Sequence, residues 1–405
     1  MRFLTAGESH GKSLSTIIEG FPSNLDLTSD YINFHLKRRQ AGYGRGQRMK
    51  IETDTSEILS GVRFGKTLGS PISLIIKNSD WENWTKIMSP DIPSIDFNYE
   101  RVSIPRPGHA DLVGISKYNF DDIRNSIERS SARETAARVA AGSIARKFLE
   151  NFGITVGSFV ESIGGIYPAE NYLFDLLQNK VKKNYSAWQL SVKADRSQVR
   201  VLDAEQENKI IRKIKTAKKK GDSLGGTFVT VATGVPVGLG SYMHYERRLS
   251  SNISHSIMSI QAVKGVEIGL GFAAANGFGS EVHDEIVLKG NSFTRTTNNA
   301  GGIDGGISNG LPIIVRAAMK PISTLMKPLK SVDLKTMKKV EARRERSDFV
   351  AVPACAVISE SMLAWTLAQS FLEKFGGDSM EETMDNYQAF TGKLQNRIKN
   401  NFRRS

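Results

Sequence analysis

Arginines are concentrated in three short segments of this 405-residue chain, each rich in glycine or placed where a helix is predicted to begin. A planar guanidinium binds carboxylate and phosphate oxygens through paired hydrogen bonds, and a helix N-terminus adds backbone N–H groups for the same anions. Like charges this close in sequence repel one another unless carboxylates or bound anions compensate them. Surface salt bridges explain any one of these arginines, but a small ligand with several anionic groups explains the set better. The residues are Arg38, Arg39, Arg45, Arg48, Arg106, Arg129 and Arg133.

Two histidines stand in tight loops near these arginines. His10 lies in GESHG (7–11) and His109 in RPGHAD (106–111). A histidine held in a loop beside positive charge is a candidate for proton transfer, whereas the other four histidines lack such surroundings and are interpreted as structural. No pair of histidines has metal-ligand spacing, and Cys355 is the only cysteine. We therefore expect neither a catalytic metal nor an intrachain disulfide.

Two later segments combine bare backbone with polar side chains. NNAGGIDGGISNG (298–310) is too rich in glycine for a regular helix and implies turns and close approach of the main chain to another group. KPIST (320–324) brings Lys320, Ser323 and Thr324 together. The combination suits a phosphorylated, planar cofactor.

Two nucleotide-binding patterns also occur, each without the helix that it needs. AGESHGKS (6–13) satisfies a relaxed phosphate-loop pattern, but the next residues are β-branched and reach Gly20 and Pro22 before a useful helix can form. IGLGFAAANG (268–277) fits the dinucleotide fingerprint, but the chain continues as NGFGSEVHD, which cannot be the required helix. A phosphate-loop nucleotide hydrolase remains open as a weak alternative.

The net charge of +13 allows two kinds of partner, nucleic acid and anionic small molecules. Much of the excess lies in KIIRKIKTAKKKGDS (209–223) and in the C-terminal KLQNRIKNNFRRS (393–405). Neither stretch interleaves several aromatic residues with the basic ones, as single-strand binders do, so we interpret them as solvated helix faces and a frayed tail. We expect no nucleic-acid partner, although a basic nucleic-acid-binding protein stays open as a second alternative.

The sequence shows no sign of a membrane or export segment. No window is apolar over the length that a bilayer requires, and MRFLTAGESH lacks the basic start, apolar stretch and cleavage site of a signal peptide. We expect no membrane partner and a cytoplasmic location.

Three helices can be predicted with specific ends. They cover 26–42, 129–153 and 359–377. In the second, Ser131 and Glu134 form the S-x-x-E pattern of a capping box, and the third has the apolar spacing of an amphipathic helix.

The remaining pattern favours an α+β fold. In the helix over 129–153, alanines together with Gly142 would let another element approach closely, and strand pairs are predicted in 57–79 and 226–240. Strands joined by short hairpins, with helices in blocks, indicate antiparallel sheets rather than a doubly wound fold. We expect one domain over 1–385 and a basic C-terminal tail over 386–405.

Ten segments, in order, resemble the chorismate synthase family and cover nearly the whole chain outside 160–215 and the tail. They are GESHG (7–11), RRQAGYGRGQRMKIETD (38–54), TLGSPI (67–72), RPGHAD (106–111), RSSARETAARVAAG (129–142), GDSLGG (221–226), HSIMSIQAVKGVEIG (255–269), NNAGGIDGGISNG (298–310), KPIST (320–324) and RSDFVAVPA (346–354). The resemblance implies conversion of 5-enolpyruvylshikimate 3-phosphate to chorismate and phosphate by anti-1,4-elimination, with reduced FMN and no net redox change. It also implies a β-α-β sandwich of antiparallel sheets between helices, assembled as a homotetramer.

The resemblance further implies roles for single residues. His10 would protonate the leaving phosphate, His109 would protonate the reduced flavin, and Asp348 would act as a base beside it. The implied FMN contacts are Arg129, Ser130, Ser131, Gln261, Ala262, Gly305, Lys320, Pro321, Ile322, Ser323, Thr324 and Arg346. The implied substrate partners are Arg48, Arg106 and Arg133.

The source of the electrons that reduce the flavin is less clear from sequence. Arg39 and Arg45 match positions that contact NADP in the family, but they could equally hold substrate anions. The chain has no complete dinucleotide-binding unit, and no block of sequence is left over for a reductase. We therefore expect an external flavin reductant, with NADP(H) possible only as a source of reducing equivalents.

Overall fold

The computed structural model describes residues 1–45, 53–92, 97–180, 185–290, 292–344 and 348–403. The helices are α1 (Ser29–Gln40), α2 (Asp111–Tyr118), α3 (Ile123–Ser130), α4 (Thr135–Glu150), α5 (Tyr172–Leu177), α6 (Ala187–Asp195), α7 (Ala204–Lys220), α8 (Leu249–Met258), α9 (Gly279–Val282), α10 (Val352–Phe375) and α11 (Met380–Arg403). The strands are β1 (Arg2–Ala6), β2 (Ser13–Glu19), β3 (Ser56–Ser60), β4 (Val62–Arg63), β5 (Lys66–Thr67), β6 (Ile72–Lys77), β7 (Thr155–Ile163), β8 (Gly226–Thr233), β9 (Val263–Ile268), β10 (Ile286–Lys289), β11 (Ser292–Arg295), β12 (Ile303–Asp304), β13 (Ile307–Ser308), β14 (Ile313–Met319), β15 (Lys330–Asp333) and β16 (Lys338–Glu341). Short 3-10 turns cover Trp81–Asn83, Ala132–Glu134, Tyr245–Arg247 and Gly271–Asn276.

Two four-stranded antiparallel sheets enclose a layer of helices. The strand orders are β1-β2-β6-β3 and β7-β8-β14-β9. Helix α4 packs against β1, β2 and β6 on one side and β7 on the other, while α10 packs against β7 and β8. Helix α6 also packs on β7 and β8, so the second sheet lies between helices. The expected α+β sandwich is confirmed, and a doubly wound fold is excluded because every ladder in these two sheets is antiparallel.

The middle helices α4 and α10 approach each other most closely at a glycine. A Cβ atom built at Gly142 would lie 2.4 Å from the Cβ of Ser361 and 2.6 Å from its carbonyl oxygen. Further along the same two helices, the rings of Phe148 and Phe371 meet edge-on with centroids 5.5 Å apart, so the helices run in the same direction. The prediction that small residues in α4 admit another element is confirmed.

Three ends of the middle-layer helices converge on one region. Arg39, near the end of α1, donates from a terminal guanidinium nitrogen to Thr135 Oγ1 at the start of α4 (3.2 Å). Just past α1, a Cβ at Gly42 would lie 3.4 Å from Pro353 in the first turn of α10. The N-termini of α4 and α10, whose dipoles favour anions, are therefore close to the same place.

Helix α10 differs from its prediction in length and in polarity. It begins at Val352 and is buried on nearly every side, because it lies between the second sheet and the other middle helices, so the prediction of an amphipathic helix was wrong. By length and composition it is also the one helix in the described ranges that could cross a membrane, which corrects the expectation that no such window exists. Of its 18-residue apolar window, 89% is buried inside the protein, as in a core helix.

Two local predictions also need correction. Ser131 caps the short 3-10 turn before α4, but Glu134 completes no capping box, because its carboxylate accepts hydrogen bonds from Thr5 Oγ1 and Arg138 Nε, both at 2.9 Å. Of the strand pair expected in 226–240, only β8 forms, since the glycine- and proline-rich half that follows makes turns.

The two basic stretches lie on helices. The lysines of α7 are exposed while Ile210, Ile214 and Ala217 are buried, as expected for a helix with one solvated face. The segment expected as a frayed tail, 393–405, is helical through Arg403, and the basic C-terminal tail expected from residue 386 begins inside α11. Tyr387 and Phe390 of this helix pack against the main core.

Candidate active site

His10 lies in the loop between β1 and β2 and is held by one buried carboxylate. Its Nδ1 is 2.9 Å from Oε1 and 3.1 Å from Oε2 of Glu128 on α3, and its backbone N–H donates to Oε2 (2.8 Å). The imidazole stacks on the ring of Trp84 with centroids 3.8 Å apart. Asn78 Nδ2 donates to the carbonyl of Gly11 (3.0 Å) and fixes the other side of the loop.

The charge of Glu128 is balanced by two neighbours. Arg124 donates to Glu128 Oε1 (3.1 Å) and to the hydroxyl of Tyr99 (3.0 Å). Burial opposes ionisation of Glu128, but the hydrogen bonds and charge of His10 and the charge of Arg124 outweigh it and hold the pKa of this carboxyl below its ordinary value. The group facing His10 is therefore an ionised carboxylate at neutral pH.

His109 precedes α2 and shares its carboxylate with an arginine. Its Nδ1 lies 2.5 Å from Oδ1 of Asp111, while Arg106 donates to Oδ2 of the same carboxylate from Nε and from its backbone N–H, both at 2.9 Å. Arg106 also donates to Thr324 Oγ1 (3.0 Å), and Lys320 Nζ donates to the carbonyl of Gly108. The predicted histidine, substrate arginine and cofactor segment thus meet in one cluster.

The pKa values of Asp111 and Arg343 reflect the charges around that cluster. Burial opposes ionisation of Asp111, yet the hydrogen bonds and charges of His109 and Arg106 hold the pKa of its carboxyl well below the ordinary range. Burial lowers the pKa of the Arg343 guanidinium, and the nearby charges of Arg124 and Arg106 lower it further. The charges of Arg106, at the His109 site, and Arg124, at the His10 site, thus both act on Arg343.

Arg39 and Arg133 share a third buried carboxylate, that of Asp54. Arg39 donates to Asp54 Oδ2 (2.5 Å), and Arg133 pairs with the other oxygen of the same residue. Burial opposes ionisation of Asp54, but the charges of the two arginines outweigh it and lower the pKa of the carboxyl. Both arginines lie where α1 ends and α4 begins.

Asp348 lies in the short connection before α10. Its Oδ2 is 3.2 Å from a terminal nitrogen of Arg45, and the backbone of the next residue, Phe349, donates to Gly44 (2.9 Å). The two segments that carry the predicted base and Arg45 are thus joined. Arg48 and Arg346 lie outside the described residues.

Glu134 links two groups of predicted cofactor residues. One is around Arg129, which contacts strand β1, and the other is around Gln261. Arg129 donates to the carbonyls of Thr5 (2.8 Å) and Gly7 (3.0 Å), and Glu134 accepts from Thr5 and from Gln261 Nε2 (3.2 Å). A cavity of about 800 Å³ is lined in part by Arg129, Glu134 and Gln261. Gln261 Oε1 is buried and has no hydrogen-bond donor within the described part of the chain.

The contacts continue from Gln261 to the KPIST segment. The next residue, Ala262, has a positive φ of 68°, which a side-chain-bearing residue rarely adopts, and its carbonyl accepts from the backbone N–H of Lys320 (2.9 Å). Ser323 lies against Gly108 on the other side, and Ile322 accepts from Ser223 Oγ (2.6 Å). Of the remaining predicted contacts, Ser130, Ser131 and Pro321 lie in the same segments, and Ser131 Oγ donates to Ser9 Oγ (3.1 Å).

Gly305 lies apart from these residues. It stands in the turn of the β12–β13 hairpin, whose backbone bonds run to Leu249 and Leu239. Within the described ranges, those bonds do not reach the arginine cluster.

Several residues of the site have no signal in the sequence. They come from three separate segments, and only the folded chain brings these together: Glu128 and Arg124 on α3, Trp84, and Arg343. Asp111 could have been noticed, because it follows His109 by two residues at the start of a helix.

Neither nucleotide-binding pattern forms its site. The residues after the loop over 6–13 form strand β2 rather than a helix, and Gly271–Asn276 forms a 3-10 turn instead of the helix that a dinucleotide needs. In the described part of the chain no group of three or more His, Cys, Asp or Glu side chains could hold a metal ion.

Comparison with known proteins identifies the family. The chorismate synthase family model matches residues 1–372. Chorismate synthase from Aquifex aeolicus (strain VF5) is 52% identical over 400 residues, 98% of each chain, and the enzyme from Chloroherpeton thalassium (strain ATCC 35110 / GB-78) is 54% identical over 393 residues, 96% of this chain and 98% of the relative. The chain belongs to the chorismate synthase family.

A solved structure agrees with this assignment. A crystal structure of chorismate synthase superposes with a TM-score of 0.78 at 44% identity, covering 98% of both chains. As a chorismate synthase family member, the protein is an enzyme, a lyase of the shikimate pathway. The two alternatives left open by the sequence, a nucleotide hydrolase and a nucleic-acid-binding protein, are set aside by this match over the whole chain.

Proposed function

We propose that the enzyme converts 5-enolpyruvylshikimate 3-phosphate to chorismate and phosphate by anti-1,4-elimination, using reduced FMN without net redox change. The single observation that carries this proposal is the pair of histidines, His10 and His109, each held by a buried carboxylate that also binds an arginine, Arg124 or Arg106. The substrate has two carboxylates and a phosphate, so its binding would offset the repulsion among these guanidinium groups.

The residues divide into proton carriers and anion partners. With Nδ1 of His10 directed to Glu128, the opposite nitrogen, Nε2, is the atom from which a proton can pass to the leaving phosphate. His109 would hold a proton for the flavin, and Asp348 would remove the hydrogen lost from the ring. Arg48, Arg106 and Arg133 would bind the carboxylates and phosphate of the substrate.

The residues present fit FMN. Gln261 Oε1 is a buried acceptor without a donor in the described residues, which suits the N–H groups of a flavin ring, and Arg129 lines the same cavity. Lys320, Ser323 and Thr324 supply a cation and hydroxyls for the phosphate end. Held by these residues, reduced flavin would supply electron density to the allylic system of the substrate, with no net redox change. We propose further contacts to FMN from Ser130, Ser131, Ala262, Pro321, Ile322, Gly305 and Arg346.

An anaerobic assay tests the reaction and the cofactor together. Purified protein with substrate, FMN and dithionite should form chorismate, and the same mixture with oxidised FMN should be nearly silent. Chorismate formation at an equal rate without any flavin would overturn the cofactor assignment. The FMN dissociation constant should fall when substrate is present, because the elimination requires the two ligands to lie in contact, so that each would help to bind the other.

We further propose that the flavin is reduced by an external system. Arg39 is buried and bound to Asp54 and Thr135, and Arg45 is paired with Asp348, so both arginines have partners within this chain. An aerobic mixture of substrate, oxidised FMN and NADPH, without added reductase, should give no sustained chorismate formation. Sustained formation would mean that the chain reduces its own flavin and that these arginines serve NADP.

Three coarser assignments complete the proposal. The enzyme works as a homotetramer, in the cytoplasm, with one catalytic domain over 1–385 followed by the basic segment 386–405. Neither nucleic acid, membrane nor metal takes part. Light scattering of the purified protein tests the assembly, because a monomeric mass at working concentration would contradict it.

A further inference from the structure

Glu128 makes an unusual number of contacts to a single histidine. Its side chain is 1% exposed, both carboxylate oxygens lie within 3.1 Å of His10 Nδ1, and one of them also accepts the backbone N–H of His10. The main-chain carbonyl of Glu128 accepts from the backbone N–H of Ser9 (3.1 Å). One residue of α3 therefore fixes the main chain and the ring of the His10 loop together.

This arrangement determines where the imidazole carries its protons. An ionised carboxylate only accepts hydrogen bonds, so Nδ1 must keep its hydrogen in both the neutral and the charged ring. The exchangeable proton is then on Nε2, the nitrogen turned away from Glu128. When Nε2–H gives its proton to a phosphate oxygen, the neutral ring that remains is already hydrogen-bonded to Glu128 and needs no reorientation.

The plane of the ring is fixed by a second residue. Trp84 lies against the imidazole at 3.8 Å between centroids and is anchored by a hydrogen bond from its Nε1 to Asp80 Oδ2 (2.8 Å). The guanidinium of Arg124 lies 5.1 Å from the Trp84 ring centre, within cation–π distance. A flip of the imidazole would break the bond to Glu128, and a tilt would break the stacking.

We propose that Glu128 is the positioning residue of the elimination, which sets the tautomer and direction of His10 so that Nε2 faces the departing phosphate, with Trp84 holding the ring plane. This inference rests on the proposed function, because it assigns a partner to the residue that donates the proton to phosphate. Because its side chain is 1% exposed and bound to His10, Glu128 would act through the histidine.

The decisive variant is Glu128→Gln, which keeps the shape but replaces an acceptor-only group by an amide that can donate. A donated hydrogen bond to Nδ1 would place the neutral-ring proton on Nε2 and invert the tautomer. We expect kcat to fall by roughly a hundredfold or more, the scale of positioned proton transfer, while KM and the FMN dissociation constant stay close to wild type. Selective 15N-histidine labelling should show the protonated nitrogen of His10 change from Nδ1 to Nε2.

Glu161→Gln is the matched control. Glu161 is another buried glutamate paired with an arginine, Arg316, and it accepts a hydroxyl hydrogen bond from Thr227, but it contacts no histidine. Both substitutions remove one carboxylate from one arginine, so a general effect of charge removal should appear equally in both. We expect the kcat of the control to remain near wild type.

Glu128→Asp covers the case in which the glutamine variant does not fold. The shorter carboxylate keeps the charge and the acceptor character, so it should retain part of the activity and the wild-type tautomer. A kcat for Glu128→Gln within threefold of wild type would overturn the proposal. A fall in kcat with an unchanged His10 tautomer would overturn it too, because Glu128 would then be only structural. If the wild-type enzyme itself made no chorismate, the proposed function would fail, while the labelled spectrum would still report on the His10–Glu128 pair.

Discussion

The two histidines of the site are both held by buried carboxylates, but the carboxylates divide their hydrogen bonds differently. Glu128 directs both oxygens and a backbone bond to His10 and shares only one oxygen with Arg124. Asp111 receives three hydrogen bonds from Arg106 and only one contact from His109. Glu128 therefore mainly orients a histidine, whereas Asp111 mainly binds an arginine.

Loss of either histidine should have the largest effect. His10→Ala and His109→Ala should each lower kcat by roughly a hundred- to ten-thousand-fold while the protein stays folded, because each removes a positioned proton carrier. His244→Ala, at an exposed position, is the control and should be near wild type. Steady-state rates under anaerobic conditions with reduced FMN measure the effect. Equal behaviour of all three variants would remove both histidines from the mechanism.

Asp111→Asn should act on stability more than Glu128→Gln does. It leaves the buried guanidinium of Arg106 without its main anion, and breaking a buried ion pair in this way costs about 3–5 kcal/mol in free energy of unfolding. Urea unfolding of the two variants beside wild type measures the difference. If Glu128→Gln proves the less stable of the two, it is wrong that Asp111 mainly stabilises the fold while Glu128 mainly orients His10.

Lowering the pH should reduce the contribution of Asp111 to the free energy of unfolding. The pKa of the Asp111 carboxyl is lowered in the folded protein, so this group binds protons more readily when unfolded and its stabilisation is complete above the unfolded carboxyl pKa. That stabilisation declines as the pH falls below the unfolded pKa and is lost once the pH passes the lower, folded pKa. The gap in unfolding free energy between wild type and Asp111→Asn should therefore narrow in acid. A gap that widened on acidification would contradict this sign.

Arginine-to-lysine substitutions should give the smallest effects. Arg106→Lys and Arg133→Lys keep the charge but lose the planar fork, so a severalfold rise in KM is expected with a smaller change in kcat. Arg106→Lys should show the greater change, since Arg106 binds Asp111 and Thr324 at the same time. Unchanged KM in both variants would mean that neither guanidinium reaches the substrate.

The parts of the molecule that follow local rules could be predicted from the sequence. Helix α1 is marked by its cap and its terminal glycine, and the close contact at Gly142 by its small neighbours. Helix α10 could be recognised as a helix, but its burial on nearly every side could not, because that burial depends on a sheet whose first strand begins at Thr155, 197 residues before Val352.

Only the histidines and arginines of the site could be predicted from the sequence. Histidines and arginines in glycine loops are visible in the sequence, whereas their carboxylate partners are ordinary acidic residues in unrelated segments. Glu128 is separated from His10 by 118 residues, and Asp54 lies between two arginines that are 94 residues apart in sequence, Arg39 and Arg133. Nothing local distinguishes such a carboxylate from one that is solvated, because its role is created by the tertiary fold.

The missing side chain at Gly142 lets a contact in the middle of the core set the spacing between two proposed site residues. The contact with Ser361 lies about two turns from the start of α4 and about two and a half turns from the start of α10. It therefore fixes how far the two helices are shifted along each other. Arg133 lies just before the start of α4, and Asp348 lies just before the start of α10. A methyl group there would push the helices apart or slide one along the other. Reacting groups tolerate displacements of only about 1 Å before rates fall by orders of magnitude. The spacing between Arg133, the proposed anion partner, and Asp348, the proposed base, is thus set from the middle of the core.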